Sequence, residues 1–253
     1  MPQRVLVTAG ASGIGREIAR AFLAGGASVF VCDLDAAGLD ALAGESPNLK
    51  TGVCDVSERR QVERMVADAA AALGGLDVLV NNAGISGPTA PVEDMDPEAW
   101  EQVMRVNLTG TFDVTRCAIP HLKKSGAGAI INMSSLAGRY GYPNRSPYCT
   151  SKWGLIGFTK TLSIELGGHG IRANAILPGA VEGPRIQTVF KGRAEASGQT
   201  VEEVERDAMA IQSLKRLVDP RDIAALCVFL ASDAGKSISG QMLPMDNDAQ
   251  KSS

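Results

Sequence analysis

A strand, a tight glycine turn and a helix follow one another within the first two dozen residues, and this unit constrains the fold more than any other feature. Arg4-Val-Leu-Val-Thr8 reads as a strand, and Ala9-Gly10-Ala-Ser-Gly13-Ile-Gly15 as a glycine-rich turn. Arg16 to Leu23 then has helical apolar spacing at Ile18, Ala19, Phe22 and Leu23. A second apolar run, Ser28-Val-Phe-Val-Cys-Asp33, closes on a carboxylate eighteen residues past Gly15. Glycines in such a turn let the backbone approach a pyrophosphate, and the helix N-terminus offers unpaired N–H donors and a positive dipole. Gly10, Ser12, Gly13, Ile14 and Gly15 are therefore expected to cradle a nucleotide. Asp33 is placed to accept hydrogen bonds from both ribose hydroxyls and to repel a 2′-phosphate, which makes NAD the expected cofactor. A glycine cluster alone would be an ordinary turn, and Asp33 alone a plain strand end. Their order along the chain separates them from those readings.

The alternation continues. Strands are expected near 4–8, 28–33, 49–54, 77–81, 128–134, 171–176 and 240–244, with helices near 14–25, 36–43, 58–73, 97–123, 147–167 and 220–231. Such a pattern implies an α/β fold, a doubly wound parallel sheet of about seven strands with helices on both faces. No linker, repeat or low-complexity tract divides it, so a single domain over 1–253 is expected. Only the stretch at about 182–218 breaks the rhythm, with Pro184, Gly192, Gly198 and mixed charges around a helical segment near 200–211. Segments of that kind serve as lids over active sites.

Composition removes several alternatives. The net charge is −3 and no basic run exceeds Lys123-Lys124, so no nucleic-acid partner is expected. Val5 to Ala9 is too short for a signal peptide or membrane span, which makes the cytoplasm the default location without membrane association. The five cysteines form no C-x-x-C pair, and Cys32, Cys54, Cys117 and Cys227 read as small core residues. His121 and His169 share no ligand spacing with the cysteines or carboxylates, so no metal site is expected.

The chemistry lies in the middle of the chain. Tyr148 and Lys152 stand one helical turn apart, thirteen residues and more after Ser135, which ends the apolar run Ala129-Ile-Ile-Asn-Met-Ser-Ser135. A free tyrosine titrates near ~10 and is a poor base at neutral pH, but a neighbouring ammonium stabilises its phenolate. A serine at a strand tip can hydrogen-bond a substrate oxygen beside it.

These motifs together resemble the short-chain dehydrogenase/reductase family, over about Arg4 to Asp246. Thr8 to Gly15 is similar to its TGxxxGIG turn, Asn81-Asn-Ala-Gly84 to its NNAG segment, and Pro178-Gly179 to its PG turn. The resemblance implies a Rossmann-type fold and a catalytic set of Asn107, Ser135, Tyr148 and Lys152, in which Asn107 holds a water that relays protons from Lys152. It also implies cofactor contacts from Asp55, Val56, Asn82, Ala83, Gly84, Tyr148, Lys152, Pro178, Gly179 and Val181. The implied activity is reversible oxidation of a secondary alcohol by NAD. The alternatives are NADPH-dependent reduction of acyl-carrier-protein thioesters or other carbonyls, and a nucleotide-binding scaffold without turnover. Retention of all four catalytic positions opposes the scaffold; Asp33, with no basic residue after it, opposes NADPH. No G-x-S-x-G elbow is present for a hydrolase.

Three departures stand out. Ala9 replaces the family's first glycine, so Gly10 is expected to absorb the turn. Gly183 occupies the place of a threonine that holds the nicotinamide amide, leaving that task to backbone such as that of Val181. Met245-Asp-Asn-Asp248 replaces an aspartate followed by two glycines.

The segments flanking the reacting carbon are Gly138 to Pro147 and the lid after Pro184. They offer Arg139, Tyr142, Asn144, Arg145, Arg185, Gln187, Lys191 and Arg193 against the apolar Ile186, Val189 and Phe190. A small polar substrate is expected (a sugar, polyol or hydroxy acid), contacted by Ser135, Tyr148, Tyr142, Asn144 and Arg185. The helix at 147–167 carries two apolar faces, Leu155, Phe158, Leu162 and Leu166 on one side and Trp153, Ile156 and Ile164 opposite. A monomer's surface helix needs one stripe, so a homo-oligomer is expected, a dimer or tetramer joined through helices about 97–123 and 147–167.

Overall fold

In a computed structural model describing residues 2–250, β1 (Arg4–Thr8), α1 (Gly13–Ala24), β2 (Ser28–Asp33), α2 (Ala36–Ala43), β3 (Leu49–Val53), α3 (Arg59–Leu73) and β4 (Val78–Asn81) build the first half. The second half comprises α4 (Pro97–Met104), α5 (Gly110–Ser125), β5 (Ala129–Met133), α6 (Ser146–Leu166), β6 (Arg172–Pro178), α7 (Pro184–Ser197), α8 (Val201–Ala210), α9 (Pro220–Ala231) and β7 (Met242–Met245). All seven strands pair in parallel in the order β3-β2-β1-β4-β5-β6-β7. The order reverses between β1 and β4, and a crevice at the carboxyl ends of those strands is where such sheets receive ligands.

Alternation along each strand sorts the core into two layers. Val5, Val7, Val29, Val31, Val78 and Val80 face Ile18 and Phe22 of α1 and Ile223, Cys227 and Leu230 of α9. Leu6, Phe30, Leu79 and Ile130 face Val62 and Val66 of α3, Val114 and Leu122 of α5, and Leu162 and Leu166 of α6. With both faces covered, the strands read as continuous apolar runs. At the opposite end of the sheet Asp77 accepts from the Arg4 backbone N–H, Nε and Nη2 at 2.9, 2.8 and 2.6 Å, and from Ser125 Oγ at 2.6 Å. This knot fastens the starts of β1 and β4 to the end of α5.

The structure corrects the expected elements in three places. The helix expected over 97–123 is interrupted: a π-helical turn at Arg105–Thr109 joins α4 to α5. The segment after Glu182 is more helical than expected, α7 covering most of what reads as loop. Pro184 opens that helix instead of breaking it, because the first turn has no use for the missing N–H. On α6, Trp153 and Ile164 are exposed (51% and 83%), but Ile156 is buried against Ala175 and Leu177. The second apolar stripe is thus narrower than its spacing implies.

Between β6 and α9 the chain forms a unit with its own small core. Phe190, Ala194, Val204 and Ala208 are buried together, with Ile186, Val201, Met209 and Leu217 around them. Thr200 and Glu203 form a capping box at the start of α8. The ends of the unit meet: Glu182 N–H donates to Val218 O at 2.9 Å and Val218 N–H to Ala180 O at 2.8 Å.

Candidate active site

The glycine turn adopts an unexpected conformation. Ala9 takes the left-handed φ of +52°, correcting the expectation that Gly10 absorbs the turn. Gly10 is required by space: a Cβ there would lie 2.7 Å from Val31 Cγ1. The Ala9 conformation is held from outside, by Asn82 Nδ2 donating to Ala9 O at 2.9 Å and to Thr8 O at 3.2 Å. Thr8 Oγ1 in turn accepts from the N–H groups of Asn82 and Ala83, both at 3.0 Å. The end of β4 is therefore sewn to the turn at the switch point. Gly13 is left-handed at +53°, and a Cβ on Gly15 would come within 2.2 Å of Ala9 O. Ser12 is the N-cap of α1, and its side chain makes no capping bond. A tight glycine turn at the head of a helix, with no room for a Cβ at Gly10 or Gly15, fits a pyrophosphate.

Asp33 and Asp55 border this cradle. One Asp33 oxygen accepts from Ala11 N–H at 3.0 Å and the other from Asp35 N–H at 3.1 Å, which fixes the carboxylate at the end of β2. Residues 34–36 are Leu, Asp and Ala, so no basic residue follows it directly in the chain. Asp55 is tied down by Ser57 N–H and Oγ at 2.8 and 2.7 Å, and Val56 is buried beside it.

Lys152 is 4% exposed, and its Nζ donates to Met133 O at 2.8 Å and lies 5.7 Å from the centre of the Tyr148 ring. Ser135, at the tip of β5, accepts from Ala137 N–H at 3.1 Å, and its hydroxyl helps to lower the pKa of Tyr148. Gly138 allows the turn after Ser135 to press on α6, since a Cβ would sit 2.9 Å from Lys152 O. Asn107 is fully buried in the π-helical turn. Its Oδ1 accepts from Ile85 N–H at 2.7 Å, and its Nδ2 donates to Ile85 O and Ser151 Oγ at 3.0 and 3.1 Å. A Cβ on Gly84 would be 3.2 Å from Asn107 Oδ1 and 3.3 Å from Lys152 Nζ, so these catalytic candidates meet over a residue with no side chain.

Electrostatics tune the pair in opposite senses. Burial alone pushes the Tyr148 hydroxyl up, but the cations of Lys152, Arg185 and Arg145 and the Ser135 hydroxyl outweigh it and bring it below its ordinary 10. Burial lowers Lys152 to about 8, against the pull of Tyr148 and with the repulsion of Arg185. A phenol made more acidic beside an ammonium made less so is a proton-transfer device that works near neutrality. Tyr142 behaves differently: burial raises it to about 12 despite Arg193, so it stays protonated.

Of the expected substrate contacts, Tyr142 stacks under Arg193, whose Cζ is 5.3 Å from the ring centre. Arg185 is in the first turn of α7, and its field reaches Tyr148 and Lys152. Asn144 is left-handed at +61° and lines a cavity of about 490 Å³ with Thr89, Arg193 and Asp207, away from Ser135 and Lys152. Phe190 and Ile186 pack in the small core of their own unit.

The departures from the family pattern resolve physically. Gly183 has φ +141° and ψ 179°, a conformation in which a threonine would be strained. In the bridge to Val218 the bonds run from Glu182 N–H and to Ala180 O, leaving the N–H and carbonyl of Val181 for other partners. Pro178 closes β6, and a Cβ on Gly179 would lie 2.9 Å from Asp246 Cα. Asn247 and Asp248 both take φ +56°, the left-handed turn that two glycines make easily and that asparagine and aspartate tolerate best among other residues.

Sequence reasoning missed a buried polar chain below the site. Asn81 Nδ2 donates to Thr115 Oγ1 and Asn132 Oδ1, and Asn132 Nδ2 to Thr159 Oγ1, all at 2.9 Å. The signal was an asparagine in each of two apolar strands, which pair in register. Among the described residues, no group of three or more His, Cys, Asp or Glu side chains could hold a metal ion. Nor is any described helix long and apolar enough to cross a membrane.

A family model, adh_short_C2, described as enoyl-(acyl carrier protein) reductase, matches residues 8–247. The chain belongs to the short-chain dehydrogenase/reductase family and is an oxidoreductase built on a nucleotide-binding Rossmann fold. It is 39% identical to a D-beta-hydroxybutyrate dehydrogenase of Cupriavidus necator over 95% of either chain. It is 41% identical to a 2-dehydro-3-deoxy-L-rhamnonate dehydrogenase (NAD(+)) of a Sphingomonas species, over 75% of this chain and 76% of that one. Among solved structures, an actinorhodin polyketide ketoreductase with NADPH superposes with a TM-score of 0.92 at 34% identity, covering 97% of this chain and 96% of that one.

Proposed function

We propose that this enzyme prefers NAD and reversibly oxidises a secondary alcohol to a ketone on a small polar substrate, a hydroxy acid, sugar or polyol. The observation that carries the chemistry is the Ser135–Tyr148–Lys152 arrangement, with a phenol drawn below its ordinary pKa. Gly10, Ser12, Gly13, Ile14 and Gly15 hold the pyrophosphate; Asp33 takes the adenosine ribose, Asp55 and Val56 the adenine. Asn82, Ala83 and Gly84, with Pro178, Gly179 and the backbone of Val181, place the nicotinamide end, and Lys152 reaches its ribose. The bound nucleotide supplies the hydride acceptor. Ser135 orients the substrate hydroxyl, Tyr148 as phenolate takes its proton, and Lys152 keeps the phenolate available. Asn107 positions the route by which the proton leaves Lys152 for solvent.

Two of the relatives are named for substrates of this kind, and one for NAD(+). The family description and the NADPH-bound neighbour favour the alternative, carbonyl or thioester reduction with NADPH. Asp33 argues against it, because a carboxylate locked at that strand end repels a 2′-phosphate. Residues 182–218 act as the substrate lid, which contributes Arg185 to the contacts made by Tyr142 and Asn144. The exposed Trp153 and Ile164 of α6, with Phe112 of α5, support a homo-oligomer, dimer or tetramer, and five free cysteines suit the cytoplasm. The test is NADH and NADPH formation from a panel of hydroxy acids, sugars, polyols, steroids and fatty alcohols. The reading expects an acid, sugar or polyol with NAD to be best; a steroid or fatty alcohol, or equal use of NADP, overturns it.

A further inference from the structure

After β7 the chain turns back onto the 182–218 segment. Asn247 and Asp248, both at φ +56°, make the turn, and Ala249 then pairs antiparallel with Gln212. Ser213 and Leu214 N–H donate to Asn247 O at 3.0 and 3.2 Å, and Gln250 N–H donates to Ile211 O at 3.0 Å. Side chains add a second set of bonds. Asn247 Nδ2 donates to Arg216 O at 2.6 Å and to Gln212 Oε1 at 3.2 Å, and Ser213 Oγ donates to Asp248 Oδ2. Gln212, which is buried, donates on to Ala208 O in the last turn of α8 at 3.2 Å. The same tail meets the loop between Ser135 and Tyr148, where Tyr140 Oη donates to the carbonyl of buried Ala249 at 3.4 Å.

The turn itself does not call for these two side chains, because glycine takes a left-handed φ more easily than asparagine or aspartate. What Asn247 and Asp248 add is a grip on Gln212, Ser213 and Arg216. All three lie on the leg that leads from α8 back to the Val181–Val218 bridge. The other leg of the segment carries Arg185, whose charge acts on Tyr148 and Lys152.

We propose that Asn247 and Asp248 are positioning residues for the substrate: their side chains latch the distal leg of the 182–218 segment to the end of β7 and hold the lid in its substrate-binding arrangement. This rests on the lid reading above and deepens it. Bonds made in one arrangement of a segment raise its population, and substrate affinity follows the fraction in the competent arrangement. The latch bears on substrate and not on the nucleotide, since its side-chain bonds lie outside the glycine turn, Asp33 and Asp55. Glycine at 247 and 248 would also leave the bond from Gly179 N–H to Met245 O in place.

The test compares the wild type with Asn247→Gly/Asp248→Gly, which keeps the turn and its backbone bonds, and with Asp248→Asn, which keeps an acceptor for Ser213. Limited trypsin cleavage of the enzyme–NADH complex at the exposed Lys215 and Arg216 reports opening of the segment. Cleavage is expected to be at least ~10-fold faster in the double glycine variant. With NAD and the best alcohol of the panel, KM is expected to rise ~10-fold, with kcat and NADH affinity within ~2-fold of the wild type. Asp248→Asn should stay close to the wild type in every measurement. A purely structural pair would move the melting temperature and leave KM where it is. If the double variant does not fold, Asn247→Asp decides, because it keeps the size and sets a carboxylate against Arg216 O and Gln212 Oε1. Cleavage no faster than in the wild type overturns the latch and leaves the lid standing. Faster cleavage with an unchanged KM overturns the lid reading, and the positioning role with it. A rise in KM matched by an equal loss of NADH affinity overturns the assignment to substrate. If the wild type oxidises no alcohol, the dehydrogenase reading and the positioning role both fail, and cleavage still decides the latch.

Discussion

Replacing Lys152 by methionine removes one charge from beside Tyr148 while keeping most of the buried stem. The ammonium lies 5.7 Å from the ring centre. Taking that centre as the site of the phenolate charge, Coulomb's law with an effective dielectric of about 20 gives roughly 3 kcal/mol of stabilisation, or about two pH units. The sign is fixed by the chemistry: oxidation needs the phenolate, so its rate rises with pH through the tyrosine's apparent pKa. In the wild type that limb should lie below 10, and it should be shared with Lys152, which titrates at about 8. In Lys152→Met, burial acts on the phenol with less to oppose it, and the limb should move up by about two units. Initial rates of NADH formation, from pH 6 to 11 at saturating NAD and with the best alcohol of the panel, measure the shift. The same variant orphans Met133 O, at a cost of about 1–3 kcal/mol, so rates must be taken well below its melting temperature. A limb that stays where it was would show that Lys152 does not set the acidity of Tyr148.

Three other expectations test separate parts of the structure. Gly15→Ala puts a methyl 2.2 Å from Ala9 O and 2.8 Å from Gly10 Cα, backbone atoms that must move by about an ångström; NADH affinity by fluorescence titration should fall by ~10². Asp33→Ala should lower the kcat/KM ratio of NAD to NADP by ~10-fold or more, mainly through weaker use of NAD, and an unchanged ratio would remove Asp33 from cofactor choice. Asp77 is pushed up by burial, but the bonds from Arg4 and Ser125 bring it down to about 2, against an ordinary 3.8. A depressed carboxylate stabilises the fold fully above its unfolded value and loses that contribution as pH falls through the folded one. After allowance for its partial exposure, Asp77→Asn should cost about 1–2 kcal/mol in urea melts at pH 7 and almost nothing near pH 2.

The first half of the fold was legible because burial on both faces writes each strand as an apolar run, and β1 and β2 fall at their expected limits. The candidate catalytic residues were legible because their types and spacing are tied to the proposed chemistry, and the structure brings Ser135, Tyr148, Lys152 and Asn107 to one place. What escaped depends on the rest of the molecule. The π-helical turn around Asn107 has no local signature in the sequence; in the structure Asn107 is held there by bonds to Ile85 and Ser151. Helix α7 was hidden by Gly192 and by cations spaced without an apolar face, because its few buried residues meet α8 and not the main core. Ala9 reads as a residue that avoids positive φ; the bonds from Asn82 override that preference.

The closure of the 182–218 segment on itself, proposed above as a lid, makes it a cassette. Its ends are joined by backbone bonds between Ala180, Glu182 and Val218, and its apolar side chains satisfy one another. Exchanging residues 183–217 for the matching stretch of a relative would therefore move a small packed body with its own interior, with both junctions at a fixed separation. Substrate preference should travel with the graft, while stability and cofactor preference stay with the recipient. Arg185 travels with the cassette, so its charge on Tyr148 and Lys152 moves too, and the graft should shift the pH dependence of turnover together with substrate preference.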